Sequence, residues 1–214
     1  MGNLIMNVFK LYGAHFFQKG ENAINKSRKG DLYHYVTYVG EHTFDIDDQD
    51  SVILLSDDKS NMEWRTGIGK VSSKHMAVVL RGYTCGNKIT SLGENVNLPY
   101  INGCATKQIF HAERVGDPTV QQLTIPPYTS EQAHHIHPTA RVVYVEKGSG
   151  YSIVGQGDLS DEIPLTEGMV CVLDPMSPHH FRTEGDHLTV LPVHIFSSAK
   201  SDHDHPMFNG TKEV

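Results

Sequence analysis

Between His134 and Gly150 the chain reads HHIHPTARVVYVEKGSG, and no other stretch constrains the fold as strongly. His135 and His137 stand two residues apart at the head of a β-branched run, and extended backbone puts residues at that spacing on one face. Pro138 and Thr139 break the run. Arg141 to Glu146 then reads as a second strand rich in Val and Tyr, closed by the turn residues Lys147 to Gly150. The stretch is thus a strand, a tight bend and a strand, with imidazoles beside the bend.

A second stretch completes it. From Gly168 the chain reads GMVCVLDPMSPHHF, an apolar strand followed by Pro175 and Pro178 around a turn, and then by His179. Strand alternation places His135 and His137 on one side, with His134 and Ile136 on the other. The same counting turns Arg141, Val143 and Val145 inward if Val142, Tyr144 and Glu146 face out, and it puts His179 and Phe181 on one side with His180 opposite. The expected pocket therefore holds three imidazoles and one guanidinium between apolar walls. Imidazole suits Fe, Zn, Cu or Ni, and three such ligands leave coordination positions open, which is the catalytic rather than the structural kind of site.

These two stretches, covering roughly Pro127 to Phe181, resemble the two sequence motifs of the cupin family. The resemblance implies that His135, His137 and His179 are the metal ligands. It also implies that Arg141 stands where the family most often has a glutamate ligand, and Met176 where a glycine is common. Arginine offers donors and no acceptor, so it cannot take a metal, and the ligand set expected is three histidines. Fe(II) is the favoured ion, with Zn, Mn, Ni or Cu as alternatives. A guanidinium facing into a barrel needs an anionic partner, either Glu131 or the carboxylate of a substrate held in bidentate fashion.

Ahead of this region, Leu4, Val8 and Leu11 run beside Ile5, Phe9, Tyr12 and Phe16 at helical spacing, which predicts an amphipathic helix over about residues 3–18. Residues 20–30 read as a polar linker. From Asp31 to Phe110 short strand-like runs alternate with turn residues, and HMAVVLRGYTCG and GENVNLPYING loosely echo the two later motifs. This region is read as a degenerate cupin half without a metal site, and its His34, His42, His75 and His111 as ordinary strand or surface residues. His187 to Phe196 gives a last strand, which Pro192 marks as an edge or a bulge. SDHDHPMFNGTKEV, with His203 and His205, is expected to be a polar tail.

The expected fold is all-β: a double-stranded β-helix, or cupin/jelly-roll barrel, with an N-terminal helical arm. Its divisions are a helical arm and linker over 1–30, a β-rich region over 31–110, a metal-binding barrel over 111–199 and a tail over 200–214. A net charge of -7, from 18 basic and 25 acidic residues, argues against a phosphate backbone as partner. No basic run, signal sequence or long apolar segment points to nucleic acid, secretion or a membrane. Three cysteines without CxxC spacing give no disulfide framework and favour a reducing compartment, so a cytoplasmic protein is expected, and the resemblance to cupin barrels, which commonly pair through their sheets, implies a homodimer.

Three functions follow from this reading. The first is a mononuclear non-haem Fe(II) dioxygenase acting on a small carboxylated or thiol-bearing molecule, which is what the resemblance to three-histidine cupin dioxygenases implies. The second is a non-redox isomerase or lyase, in which the metal acts as Lewis acid and Glu131 or Tyr144 moves a proton. The third is a sensor that binds a small acid without turning it over. Arg141, Tyr144 and Glu131 are the candidate catalytic residues, and the partner in each case is a small anionic molecule.

Overall fold

The computed structural model describes residues 12–28, 34–93, 98–114 and 116–196, and the tail with His203 and His205 lies outside them. Among the described residues there is no α-helix, and none of their helices is long and apolar enough to cross a membrane. The chain divides into two compact units: Met1–Phe16 together with Asn97–Val214, and Phe17–Val96. The boundaries read from turn residues, near 30 and 110, thus lie more than ten residues from those set by packing.

The expected N-terminal helix is corrected where it can be seen. β1 (Ala14–Phe17) is a strand, and residues 1–11 lie outside the described ones. Ala14 is buried in the barrel core, with Tyr12 and Phe16 packed against that core, while His15 faces Asp174. Tyr12, Ala14 and Phe16 also recur at period 2, and here pairing with a neighbouring strand overrides the helical spacing.

The unit Phe17–Val96 holds β2 (Ala23–Lys26), β3 (Tyr35–Val39), β4 (His42–Ile46), β5 (Ser51–Leu55), β6 (Asn61–Thr66), β7 (Gly69–Ser73), β8 (Met76–Leu80) and β9 (Lys88–Ser91). Six of them form one sheet in the order β2-β3-β8-β5-β6-β9, and β4 pairs with β7. Phe44, Ile46 and Val71 of the pair meet Val52, Leu54, Ala77 and Val79 of the large sheet in a common core. Alternate residues of strands in both sheets point into that core, as a two-layer β architecture requires.

The other unit carries β10 (Leu98–Pro99), a short 3-10 helix (Ile101–Gly103), β11 (Ala105–Phe110), β12 (Thr119–Ile125), β13 (Ala140–Gln156), β14 (Leu159–Thr166), β15 (Val170–Leu173), β16 (His179–Arg182) and β17 (Leu188–Ile195). The sheet order is β1-β15-β13-β17-β12-β11-β10, with β14 and β16 also on β13. β13 makes this a barrel. Its first half lies between β15 and β17, and its second half between β14 and β16, so one strand serves two faces. Leu123, Val143, Val145, Leu165, Leu173, Phe181 and Val190 fill the interior between them.

The turn from one face to the other falls at a break in register between Val145 and Lys147, followed by Gly148 at φ +75°. A Cβ at Gly148 would lie 1.9 Å from the His187 carbonyl oxygen, so backbone must move to admit any side chain. Gly148→Ala is therefore expected to lower unfolding stability by at least ~2 kcal/mol, from strain at positive φ added to the clash. Urea denaturation checks this, and a loss below ~0.5 kcal/mol would show that the bend is not constrained there.

Pro192 does not mark an edge. β17 lies between β13 and β12, with Pro192 opposite Val143, and the ladder to β12 passes over Leu191 and Pro192 opposite Gln121 and Gln122. The missing proline N–H is thus placed at a local gap in a central strand.

Candidate metal centre

His135 and His179 form a bridge just before β13, each donating its backbone N–H to the other's carbonyl at 3.1 and 2.9 Å. His137 lies one alternation further on, and its carbonyl accepts the Met176 amide at 2.7 Å. The bend before β13 is thereby tied to the turn before β16, and the three rings converge. Their centroids are 4.5 Å (His135 to His137), 4.8 Å (His135 to His179) and 5.5 Å (His137 to His179) apart. One ring nitrogen from each lies within 4.8 Å of the others, the only such group among the described residues.

The tautomers are fixed by local hydrogen bonds. His179 Nδ1 lies 2.7 Å from the Ser177 carbonyl and His135 Nδ1 lies 2.8 Å from the Ala133 carbonyl. A carbonyl accepts only from an N–H, so in both rings Nε2 carries the lone pair. Backbone carbonyls that hold a ligating ring by its remote nitrogen are the usual support of a metal site. Burial holds the His137 and His179 pKa values far below the ordinary histidine value, and the positive charge of Arg141 acts in the same direction. Both rings are therefore neutral near pH 7, the state that ligates. Three imidazoles whose ring nitrogens converge in a cavity, two of them held neutral by burial, fit a divalent ion of borderline softness.

The cavity is small, about 20 Å³, which is room for roughly one or two waters, and His135 is its half-exposed member. Arg141 lines it at 3% exposure, with Nη1 donating to the Thr139 carbonyl at 3.3 Å and to Thr139 Oγ1 at 3.1 Å. Glu131 lines it too, fully buried. Tyr144 does not. It is buried on the face of β13 opposite Arg141 and Val143, and the proton-transfer role considered for it has no geometry to support it.

Two further polar residues of the cavity escape the sequence reading. His194 is wholly buried and stands opposite Arg141 in the ladder between β13 and β17, so the parity that turns Arg141 inward turns His194 inward as well. That signal was available once the strand pairing was known. Gln132, in the loop before His135, had none, because nothing in a loop sequence sets the direction of an amide.

The remaining histidines are elsewhere. His134 and His180 face each other across the outer side with Nδ1 atoms 2.8 Å apart, and His134 Nε2 donates to the Gly155 carbonyl. His34, His42, His75 and His111 stand outside the group, with His75 Nε2 on the Asp57 carbonyl at 2.9 Å. Cys104 and Cys171 are buried thiols that burial pushes up to about 12, which makes them unreactive filling near neutrality.

Burial pushes the Glu131 carboxyl up to about 7, although the Phe181 amide and the Arg141 charge both pull it down. Its folded pKa lies above its unfolded value of about 4.5, so between pH 4.5 and 7 the folded protein holds a proton that the unfolded chain has released. Stability of the metal-free protein is thus fully supported below that window and falls as pH rises through it, by about 3 kcal/mol in all. Denaturation of metal-free wild type and Glu131→Gln from pH 4.5 to 7.5 checks this. The glutamine variant should lose that part of the slope, and equal slopes would mean that Glu131 is already ionised throughout.

Residues 121–196 match the family model of the cupin domain. No curated protein matches the sequence. Among solved structures, the chain is similar to a protein from Pseudomonas aeruginosa described as glyoxylate-induced, at 12% identity and a TM-score of 0.51 over 77% of this chain and 74% of that one. It is also similar to a cupin 2 conserved barrel domain protein from Leptotrichia buccalis, at 11% identity and TM-score 0.45 over 89% and 95% of the two chains. The polyketide cyclase RemF from Streptomyces resistomycificus follows at 19% and 0.41 over 48% and 72%. At 12% identity the likeness to the Pseudomonas aeruginosa protein speaks for the fold and not for a substrate.

Proposed function

Because residues 121–196 form a cupin domain, we propose that this chain is a mononuclear metal enzyme acting on a small carboxylated molecule, and that a non-haem Fe(II) dioxygenase is its leading form. The observation that carries the reading is the convergence of three imidazoles in one cavity, with the lone pairs of His135 and His179 placed on Nε2 by the carbonyls that hold their Nδ1 atoms. His135, His137 and His179 would hold the ion. A metal bound by three neutral nitrogens keeps its full charge and open positions, and supplies Lewis acidity or, if redox-active, oxygen chemistry.

The chain's own residues shape what enters. Arg141 presents a planar guanidinium in the cavity that suits a carboxylate, and Phe181 and Val143 keep the surroundings apolar. The small volume selects a compact reacting group, with any larger part of the molecule left toward His135 and solvent. Glu131 supports a second reading, a non-redox isomerase or lyase, since a carboxyl at about 7 can both release and take a proton near neutrality.

One experiment separates these readings. The protein is purified without added metal, analysed for bound ions and reloaded with Fe(II), Zn(II), Mn(II) or Ni(II). Oxygen uptake and product formation are then followed over a panel of small carboxylates and thiols. Oxygen consumed in step with product supports the dioxygenase; turnover without oxygen supports the isomerase or lyase. Metal bound with no turnover over the panel would leave a binding module and refute both enzyme readings.

A further inference from the structure

Gln132 is half-buried, and its side chain meets one of the three histidines directly. Its Nε2 lies 2.7 Å from His135 Nε2, the nitrogen that carries the lone pair, so the amide donates into the position a metal would take. At its other end, Gln132 Oε1 accepts the Tyr100 hydroxyl at 3.3 Å. A metal bound at His135 must displace the first of these hydrogen bonds.

We propose that Gln132 is the fourth protein ligand of the centre, reached by a flip of its carboxamide that turns Oε1 toward the ion. The geometry favours it, since two donors on one ion at roughly 2.0–2.1 Å each stand about 3 Å apart, and the end of the amide is already near that distance from His135 Nε2. The flip exchanges a donor for an acceptor of the same shape. Tyr100 accommodates both states, because a hydroxyl that donates to Oε1 can accept from Nε2 after the exchange. Burial keeps this phenol protonated, so it remains a donor and acceptor across the neutral range. The ligand set becomes three neutral nitrogens and one neutral oxygen. The ion then keeps its full charge, which favours the anionic ligand already assigned to Arg141.

This assignment rests on the three-histidine reading of the site, and its sign tests it apart from that reading. If Gln132 only caps the His135 lone pair, removing it should tighten metal binding; if it ligates, removing it should weaken binding. Zn²⁺ and Co²⁺ affinities of the metal-stripped full-length chain, measured by competition with a chromophoric chelator, are the readout. Gln132→Ala is expected to weaken both about tenfold to a hundredfold. Gln132→Glu, which supplies a charged oxygen at the same reach, is expected to bind both more tightly and to shift the Co²⁺ visible bands. Melting curves of both variants without metal confirm that they fold. Unchanged or tighter binding by Gln132→Ala, or no gain in Gln132→Glu, overturns the assignment. Should wild type bind neither ion, the three-histidine reading falls and this one with it. Should wild type bind and His137→Ala fail to, while Gln132→Ala binds like wild type, only the role of Gln132 falls.

Discussion

Alanine at His137 is expected to empty the metal site, taking bound metal from about one ion per chain to near zero after dialysis. His137 is buried, its ring is held neutral, and it shares the cavity with His135 and His179. Loss of a residue that merely supports a ligand weakens metal affinity about tenfold to a hundredfold, so loss of one of three imidazole ligands should exceed that range. Alanine at His134 or His180 is the matched control. These two rings are bonded to each other on the opposite side of the same strands. The variants differ from His137→Ala in which face they alter, so metal content separates ligation from general damage to the barrel. Elemental analysis after equilibrium dialysis should find the His134 and His180 variants loaded like wild type. Equal depletion of all three variants would refute assignment of the site by strand parity.

The same parity explains what was legible in the sequence. A period of 2 along HHIHP and HHF decides which imidazoles share a face, because in extended backbone the face is fixed by counting alone. The same counting puts Arg141 and Val143 in the cavity and Tyr144 outside it, which goes against Tyr144 as a candidate catalytic residue. Parity was silent where partners come from distant strands. His194 enters the cavity because β17 lies beside β13 in a register that puts it opposite Arg141, and no local pattern encodes that pairing. Pro192 reads as an edge or a bulge because a missing N–H usually needs one or the other, and a gap in the ladder to β12 within a central strand serves as well. Tyr12 and Phe16, four residues apart, satisfy helical spacing and period 2 at once, and strand pairing chooses between them, with Ala14 on the buried side. Gln132 depends on a side-chain rotamer in a loop, which pattern reasoning does not reach.

Arg141→Lys should keep the charge and the fold while weakening the small carboxylate by about tenfold, or ~1.4 kcal/mol, the scale of one charged hydrogen bond. The lysine loses the planar fork that holds two oxygens at once. A second consequence follows from where the charge sits. Beside the larger effect of burial, Arg141 lowers the pKa values of His137 and His179, which means it places positive potential on the two rings proposed as ligands. The same potential opposes a divalent cation. A bound carboxylate cancels it, so metal and carboxylate should each tighten the other by the same factor. Arg141→Gln removes the source of the repulsion. It should bind metal more tightly than wild type in the absence of carboxylate, and carboxylate should no longer raise its metal affinity. Titrating Zn²⁺ into wild type, Arg141→Lys and Arg141→Gln, with and without a saturating small carboxylate, measures both effects at once. If carboxylate affinity is unchanged in Arg141→Lys while its melting temperature falls, Arg141 is a structural partner of Glu131 and leaves the list of site residues. If instead the coupling disappears in Arg141→Gln with the fold intact, the guanidinium is what joins the anion site to the metal site, and a cationic side chain among metal ligands has its physical reason.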